Sequence, residues 1–503
     1  MIGRATQLRQ RPLTAHSDGD SATLPSSQAA PRDWLPVAVH GALCCVLGIL
    51  FLAFRWNYAL LFTAAPIVCV IYLWIAMREA KRSTLALNPL SFYFFWDAIA
   101  VGVAPIYIAS LLKDGGQISF SVVTVDSALV VKGYILYMCG GFFLHCGLRT
   151  RPLLMRVSGP NPSPRFASQT ALMMVVGIVA GWHRNWFAGA GALSGILQWS
   201  SFAAVCTVAL GRRYFPWSGL THFSVLCVGC LILAFINLDT GSKYYIMLAV
   251  FPLLWFFVKE QPVRKMLPVV CVAFVISYLY IVAPVVTMAR TSNAVGMDDP
   301  RAQIYDTLRA HTTSYASAGT LRMLTEDFLF RQYPAIPMAF LAGHVSDYGL
   351  QWGATMDYAM YALIPRVIWR NKPNVSRGAW FTAYLGFSAS EADATTSTGI
   401  TASGELYWNF GLGGLAIGMF IIGAMKGYLW SLSGANPLSN PFLMLLYVFV
   451  TFTMPDMPEA VTVVVSSIYC AILFGGTAIA YRKMFGRDKQ VSPPPIDSPL
   501  NRK

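Results

Sequence analysis

Between Tyr361 and Gly414 the chain reads YALIPRVIWRNKPNVSRGAWFTAYLGFSASEADATTSTGITASGELYWNFGLGG, which places Arg366, Arg370, Lys372 and Arg377 within about a dozen residues. Pro365 and Pro373 interrupt any helix there, because proline lacks the amide donor and restricts the residue before it. A proline-braced loop of this kind suits the grip of a diphosphate. Arginine offers a planar fork to phosphate oxygens, and lysine a compact point charge. Contact with anionic lipid headgroups or with solvent is the plainer use of the same charges. A hydroxyl-rich stretch follows from Ser388 to Ser403, and then Glu405, Tyr407 and Asn409 open an apolar run. A carboxylate at a helix N-terminus is favoured by the helix dipole, so Glu405 is placed either to accept a proton or anchor a sugar, or simply to complement that dipole.

Three further places carry candidate chemistry. NLDTGSKYY gives Asn237, Asp239, Ser242 and Lys243 at a turn between two apolar runs. Asp239 and Lys243 either pair with each other there or serve a sugar and a phosphate respectively. Arg290, in VTMARTSN, follows the end of another run, at the depth of a lipid diphosphate. Asp97, in FYFFWDAIAVGV, is a charge within an apolar run, where it stands nearly alone and calls for a buried partner or a function. His344 and Asp347 in GHVSDYG are additional acid or base candidates, and Gly414 and Gly418 have the GxxxG spacing of close helix packing. No phosphate loop, dinucleotide fingerprint, nucleophile elbow or metal-ligand spacing occurs, so no metal and no cofactor is expected.

The elements that must position these residues are apolar helices. Of 503 residues, 56% are hydrophobic and only 12% charged, more apolar surface than a soluble protein of this size can bury. Apolar stretches of roughly 16 to 24 residues recur, each long enough for a helix to cross a bilayer. They predict spans at 34–54, 57–77, 89–112, 128–148, 168–182, 191–211, 221–237, 243–258, 266–288, 404–424, 440–455 and 459–481. The fold class expected is therefore an all-α polytopic membrane protein of about twelve helices. Residues 1–33 form a disordered cytoplasmic tail, 34–288 a bundle of about nine helices, 289–403 a large extracytoplasmic loop with short helices, 404–481 the last membrane helices and 482–503 a second cytoplasmic tail. Amphipathic runs at 318–342 and 354–364 read as extracytoplasmic or re-entrant helices within that loop. No cleavable leader is expected from the polar first thirty residues.

The net charge of +14 does not imply nucleic acid, because the cations sit in short loops rather than in one aromatic-interleaved patch. Clusters such as Arg78/Lys81/Arg82, Arg149/Arg151/Arg156/Arg165 and Lys259/Arg264/Lys265 fall on one side of the predicted spans. By the positive-inside rule that side is cytoplasmic, as are both termini. The ten cysteines, including Cys227 and Cys230 in FSVLCVGC, lie mostly in apolar runs, where they behave as small hydrophobes.

The span layout, the large late loop, IPRVIWRNKP and TSTGITASGELYWNFGLGG resemble the Wzy-type O-antigen and oligosaccharide repeat-unit polymerases. The resemblance covers most of the chain as architecture and about fifty residues as motif. It implies a GT-C-like glycosyltransferase on the outer face of the bacterial inner membrane. Such an enzyme joins undecaprenyl-diphosphate-linked repeat units into O-antigen, capsule or exopolysaccharide, without a metal. Partners implied are that lipid-linked substrate, the bilayer, a chain-length regulator and a flippase. Arg290, Arg366 and Lys372 would bind diphosphate with Arg377 and Lys243 in support, Arg366 also stabilising the departing diphosphate. Glu405 would activate the acceptor, and Tyr407, Asn409 and Asp239 would hold sugars. An O-antigen ligase shares the architecture. A lipid-linked oligosaccharide flippase is the rival of another class, for which charges buried across several spans are expected.

Overall fold

The computed structural model describes residues 33–82, 88–115, 117–120, 123–150, 166–182, 192–212, 217–238, 248–253, 333–364, 368–369, 371–373, 377–386, 388–391, 398–433, 437–439, 441–454 and 459–477, with a few single residues between them. Helices dominate. They are α1 (Leu35–Ala53), α2 (Leu61–Arg82), α3 (Pro89–Asp97), α4 (Ala104–Gly115), α5 (Ser127–Leu148), α6 (Phe166–Trp182), α7 (Ala192–Leu210) and α8 (Gly219–Leu238). After a long interval come α9 (Ala335–Tyr348), α10 (Ala359–Ala362), α11 (Arg377–Tyr384), α12 (Ala402–Leu432), α13 (Pro441–Phe452) and α14 (Ala460–Cys470). A hairpin of β1 (Gln117–Phe120) and β2 (Val123–Asp126) pairs Gln117 with Asp126 and leads into α5.

Six described helical stretches are long and apolar enough to cross a membrane: Leu35–Ala53, Tyr58–Ala80, Pro89–Lys113, Ser127–Leu148, Gly219–Asn237 and Ala402–Leu432. They are apolar on the outside as well as the inside. In α1, Leu43, Leu47 and Phe51 are buried while Val46, Ile49 and Leu52 are exposed, a pattern that water would penalise and hydrocarbon does not. Local signals set the ends. Pro89 opens α3 behind Asn88, whose Oδ1 accepts from Ser91 N at 2.7 Å while Ser91 Oγ accepts from Asn88 N at 2.9 Å. Between α3 and α4 the helix loosens into a π-helical stretch, Ala98–Val103.

The described helices agree with the predicted spans to within a few residues at most ends, but α12 continues to Leu432, eight residues past the expected 424. The span expected at 266–288, most of that at 243–258, the stretch 318–332 and both terminal tails lie outside the described residues.

Two buried apolar clusters hold the bundle. One gathers α1 to α5, α9 and α12, with Leu47, Val68, Tyr93, Tyr134 and Leu415 among its members. The other gathers α6, α7, α8 and α13, joined by Phe92 and Trp96 of α3. Helix α5 runs parallel to α12, so the two start at the same end of the bundle. Their backbones touch through glycine: a methyl on Gly423 would strike the Leu144 carbonyl oxygen, and one on Gly427 would lie 3.0 Å from that of Leu148. The close-packing motif is thus Gly423/Gly427. Gly414 and Gly418 instead make room for Phe410 and Leu406 of their own helix.

Asp97 is buried and accepts a hydrogen bond from Tyr137 Oη at 3.2 Å. It does not stand alone as expected. Glu79 and Arg149 form a buried ion pair between the ends of α2 and α5. His40 Nε2 lies 2.8 Å from Tyr72 Oη, and the Lys426 ammonium donates to the Thr453 carbonyl. Sequence spacing hid these because each partner comes from another helix.

The glycine seam gives a direct test. Gly423→Leu forces α5 and α12 apart and should lower the unfolding free energy by about 1–3 kcal/mol. Gly413→Ala, where a methyl meets only open space, should leave it unchanged or raise it by up to about 1 kcal/mol through helix propensity. Thermal unfolding in detergent reads the difference, and equal midpoints for both variants would contradict the seam.

Candidate functional site

The candidate site is built at the start of α12, where the backbone departs from helix geometry twice. Thr401, the N-cap, has φ +66° and ψ 152°, a left-handed setting rare for a β-branched residue. Such strain costs on the order of 1–3 kcal/mol and persists only where surrounding contacts enforce it. Here Thr401 Oγ1 accepts from Gly404 N at 3.0 Å. Gly411, with φ +65° and ψ −154°, then breaks α12 into a short first piece and a long second one. The carbonyls orphaned by the break are recovered across the chain: Trp408 O accepts from Gln351 N at 3.1 Å and Asn409 O from Trp352 N at 3.0 Å. The loop at 351–356 is thereby stitched to the short piece.

Glu405 sits in the first turn of that piece, fully buried. Its Oε1 accepts from Tyr358 Oη at 3.0 Å and its Oε2 from Val461 N at 3.4 Å. Val461 belongs to the first turn of α14, so two helix N-termini, those of α12 and α14, face one carboxylate. Glu459, the N-cap of α14, is a second buried carboxylate beside Tyr358. Burial, then the charges of Glu405 and Glu459, push the Tyr358 hydroxyl upward, so it stays protonated and donates.

On the ring of Tyr358 the Arg377 guanidinium stacks at 4.9 Å; it also lies over Trp380 at 5.3 Å and forms an ion pair with Asp357. Lys372 is buried, and its Nζ donates to the carbonyls of Ala362 at 2.9 Å and Ile364 at 2.7 Å. It thereby ties position 372 back to the segment at 362–364. Asn409, one turn beyond Glu405, has its amide engaged by the protein: Nδ2 donates to Thr355 Oγ1 at 2.6 Å and Glu405 O at 2.8 Å, and Oδ1 accepts from Gly353 N at 3.0 Å. Tyr407 is buried in the larger apolar cluster. His344 reaches Tyr384, whose Oη lies 3.1 Å from Nδ1. Burial lowers this imidazole and the neighbouring Asp347 charge opposes the shift.

The structure therefore gathers Glu405, Asn409 and Arg377 around Tyr358 and the loop at 351–356, while Lys372 holds the carbonyls of Ala362 and Ile364. Arg290, Arg366, Lys243 and Asp239 lie outside the described residues. Tyr358, Asp357, Thr355 and Glu459 escaped sequence reasoning. They lie about fifty residues from Glu405 along the chain and carry no spacing signal. Among the described residues no group of three His, Cys, Asp or Glu side chains converges as a metal site would require. Comparison with protein-family models, with curated proteins and with solved structures gave no match.

Removing the Tyr358 hydroxyl tests the grip on Glu405. Tyr358→Phe leaves a buried carboxylate oxygen short of a donor and should lower stability by about 1–3 kcal/mol. Tyr361→Phe on the next turn, where Tyr361 is only partly buried, should cost far less. Unfolding midpoints in detergent compare them, and a Tyr358→Phe midpoint no lower than that of Tyr361→Phe would mean that the bond carries no weight.

Proposed function

We propose that this protein is a membrane glycosyltransferase that polymerises undecaprenyl-diphosphate-linked oligosaccharide repeat units on the outer face of the bacterial inner membrane. Both termini are cytoplasmic in this reading, and α5 and α12 begin outside. The observation that carries it is the buried Glu405 carboxylate at the start of a broken helix, bonded to Tyr358, over whose ring the Arg377 guanidinium stacks. Chemistry of this kind needs an acceptor for a sugar hydroxyl's proton and positive charge for a departing diphosphate. Non-helical backbone at membrane depth is tolerated where it is covered by protein or lines a cavity, as the stitched break at Gly411 is.

In the reaction, the acceptor hydroxyl oxygen attacks the anomeric carbon of the donor chain. The carbon–oxygen bond to diphosphate breaks, and undecaprenyl diphosphate leaves with the electron pair. The acceptor proton passes to Glu405 through Tyr358, which donates one proton to the carboxylate as it takes another. Arg290 and Arg366 neutralise the diphosphate with Arg377 and Lys243 in support, while Lys372 holds the loop in shape.

A second reading, a flippase for the same lipid-linked glycan, draws support from the buried Glu79–Arg149 pair, Asp97 and His40 within the bundle. One experiment separates the two. In a strain lacking the protein, single repeat units on undecaprenyl diphosphate should accumulate accessible from the outer face, with polymer absent. Complementation with Arg366→Ala or Glu405→Gln should leave that profile unrepaired at normal membrane levels of protein. Units trapped on the cytoplasmic face would establish the flippase, and full chain-length ladders from both variants would refute the polymerase site.

A further inference from the structure

The turn after Glu405 carries an aromatic surface that the reaction above leaves unused. Trp408 is 1% exposed, and its Nε1 has no hydrogen-bond partner among the described residues. Trp380 lies over it with ring centroids 6.0 Å apart, Tyr384 lies at 5.4 Å, and His344 meets it edge-on at 5.3 Å. Trp380 and Tyr384 stack on each other at 5.3 Å, while Tyr348 packs 4.7 Å from His344. The inner rings are covered but the outer ones are open: Tyr384 is 40% exposed and Tyr348 76%. Polar atoms rim the open side, with Tyr384 Oη 3.1 Å from His344 Nδ1 and Gln351 Nε2 3.4 Å from His344 Nε2.

This combination discriminates between ligand classes. A π face is electron-rich, so it repels a phosphate and attracts polarised C–H groups. A pyranose ring presents such C–H groups on its faces and hydroxyls at its edge. It therefore matches stacked rings bordered by donors and acceptors. Tyrosines that merely mark a membrane interface need no interlocked stack beneath them. The surface is also continuous with the candidate site, because Arg377 lies over both Trp380 of the stack and Tyr358, which holds Glu405.

We propose that His344, Tyr348, Trp380 and Tyr384 form a stacking platform for a neutral sugar ring of the glycan. The platform holds the sugar beside Glu405, and this placement rests on the reading of Glu405 as the group that activates the acceptor.

Full-length protein in lipid nanodiscs, applied to an array of bacterial repeat-unit oligosaccharides, provides the test. The wild type should bind at least one oligosaccharide above empty nanodiscs. Tyr348→Ala and Tyr348→Leu should weaken that binding about tenfold, the scale of one lost aromatic stack, whereas Tyr348→Phe should retain it. Because Tyr348 is largely exposed, these variants fold. No binding by the wild type, or equal binding by Tyr348→Leu, would overturn the platform. Tyr348-dependent binding together with normal polymer from Glu405→Gln would keep the platform and remove the polymerase reading. Loss of polymer in Glu405→Gln with binding indifferent to Tyr348 would do the reverse.

Discussion

A carboxylate buried in an apolar helix bundle is the constraint around which the described end of this protein is arranged. Glu405 is fully covered, and an ionised carboxyl group in such a place is tolerable only with donors and favourable dipoles around it. Each local irregularity supplies one of them. The strained Thr401 starts α12 where Glu405 falls in its first turn, and the break at Gly411 frees carbonyls that bind the loop at 351–353. That loop delivers Tyr358, and α14 delivers its first-turn amide. Strain at Thr401 and the helix break at Gly411 are thus compensated by hydrogen bonds that a straight helix could not make.

The same arrangement joins carboxylate to cation. Tyr358 has Glu405 at its hydroxyl and Arg377 over its ring, so a single side chain couples the acidic and basic halves of the site. Beneath them the parallel contact of α5 and α12, with backbones touching at Gly423 and Gly427, provides a rigid base. Short helices α9 to α11 pack over the end where both begin; Ser346 of α9, for example, meets Lys132 of α5.

How much of this was legible in the sequence follows from the range of each interaction. Span positions were legible because apolar run length is a local property, and α3 and α5 begin within a residue of expectation. The end of α12 at Leu432 lies beyond the expected 424, and the fold accommodates Lys426 within the helix by bringing the Thr453 carbonyl to its ammonium. Glu405 and Asn409 stood out as polar groups opening an apolar helix. Their partners did not: Thr355 and Tyr358 become relevant only once Gly411 bends α12 and the loop closes on it. The buried Glu79–Arg149 pair was not legible either, because its two halves come from different helices and Arg149 reads as one of a cluster of loop cations.

Central to the account is that Glu405 takes the acceptor proton in a transfer between two lipid-linked glycans. The most direct measurement is reconstitution of the purified protein in liposomes with repeat-unit lipids extracted from a strain lacking it, followed by mass spectrometry of the products. The account predicts a ladder of lengthening glycans with release of undecaprenyl diphosphate, and single units only from Glu405→Gln. A ladder of equal length from Glu405→Gln would contradict it.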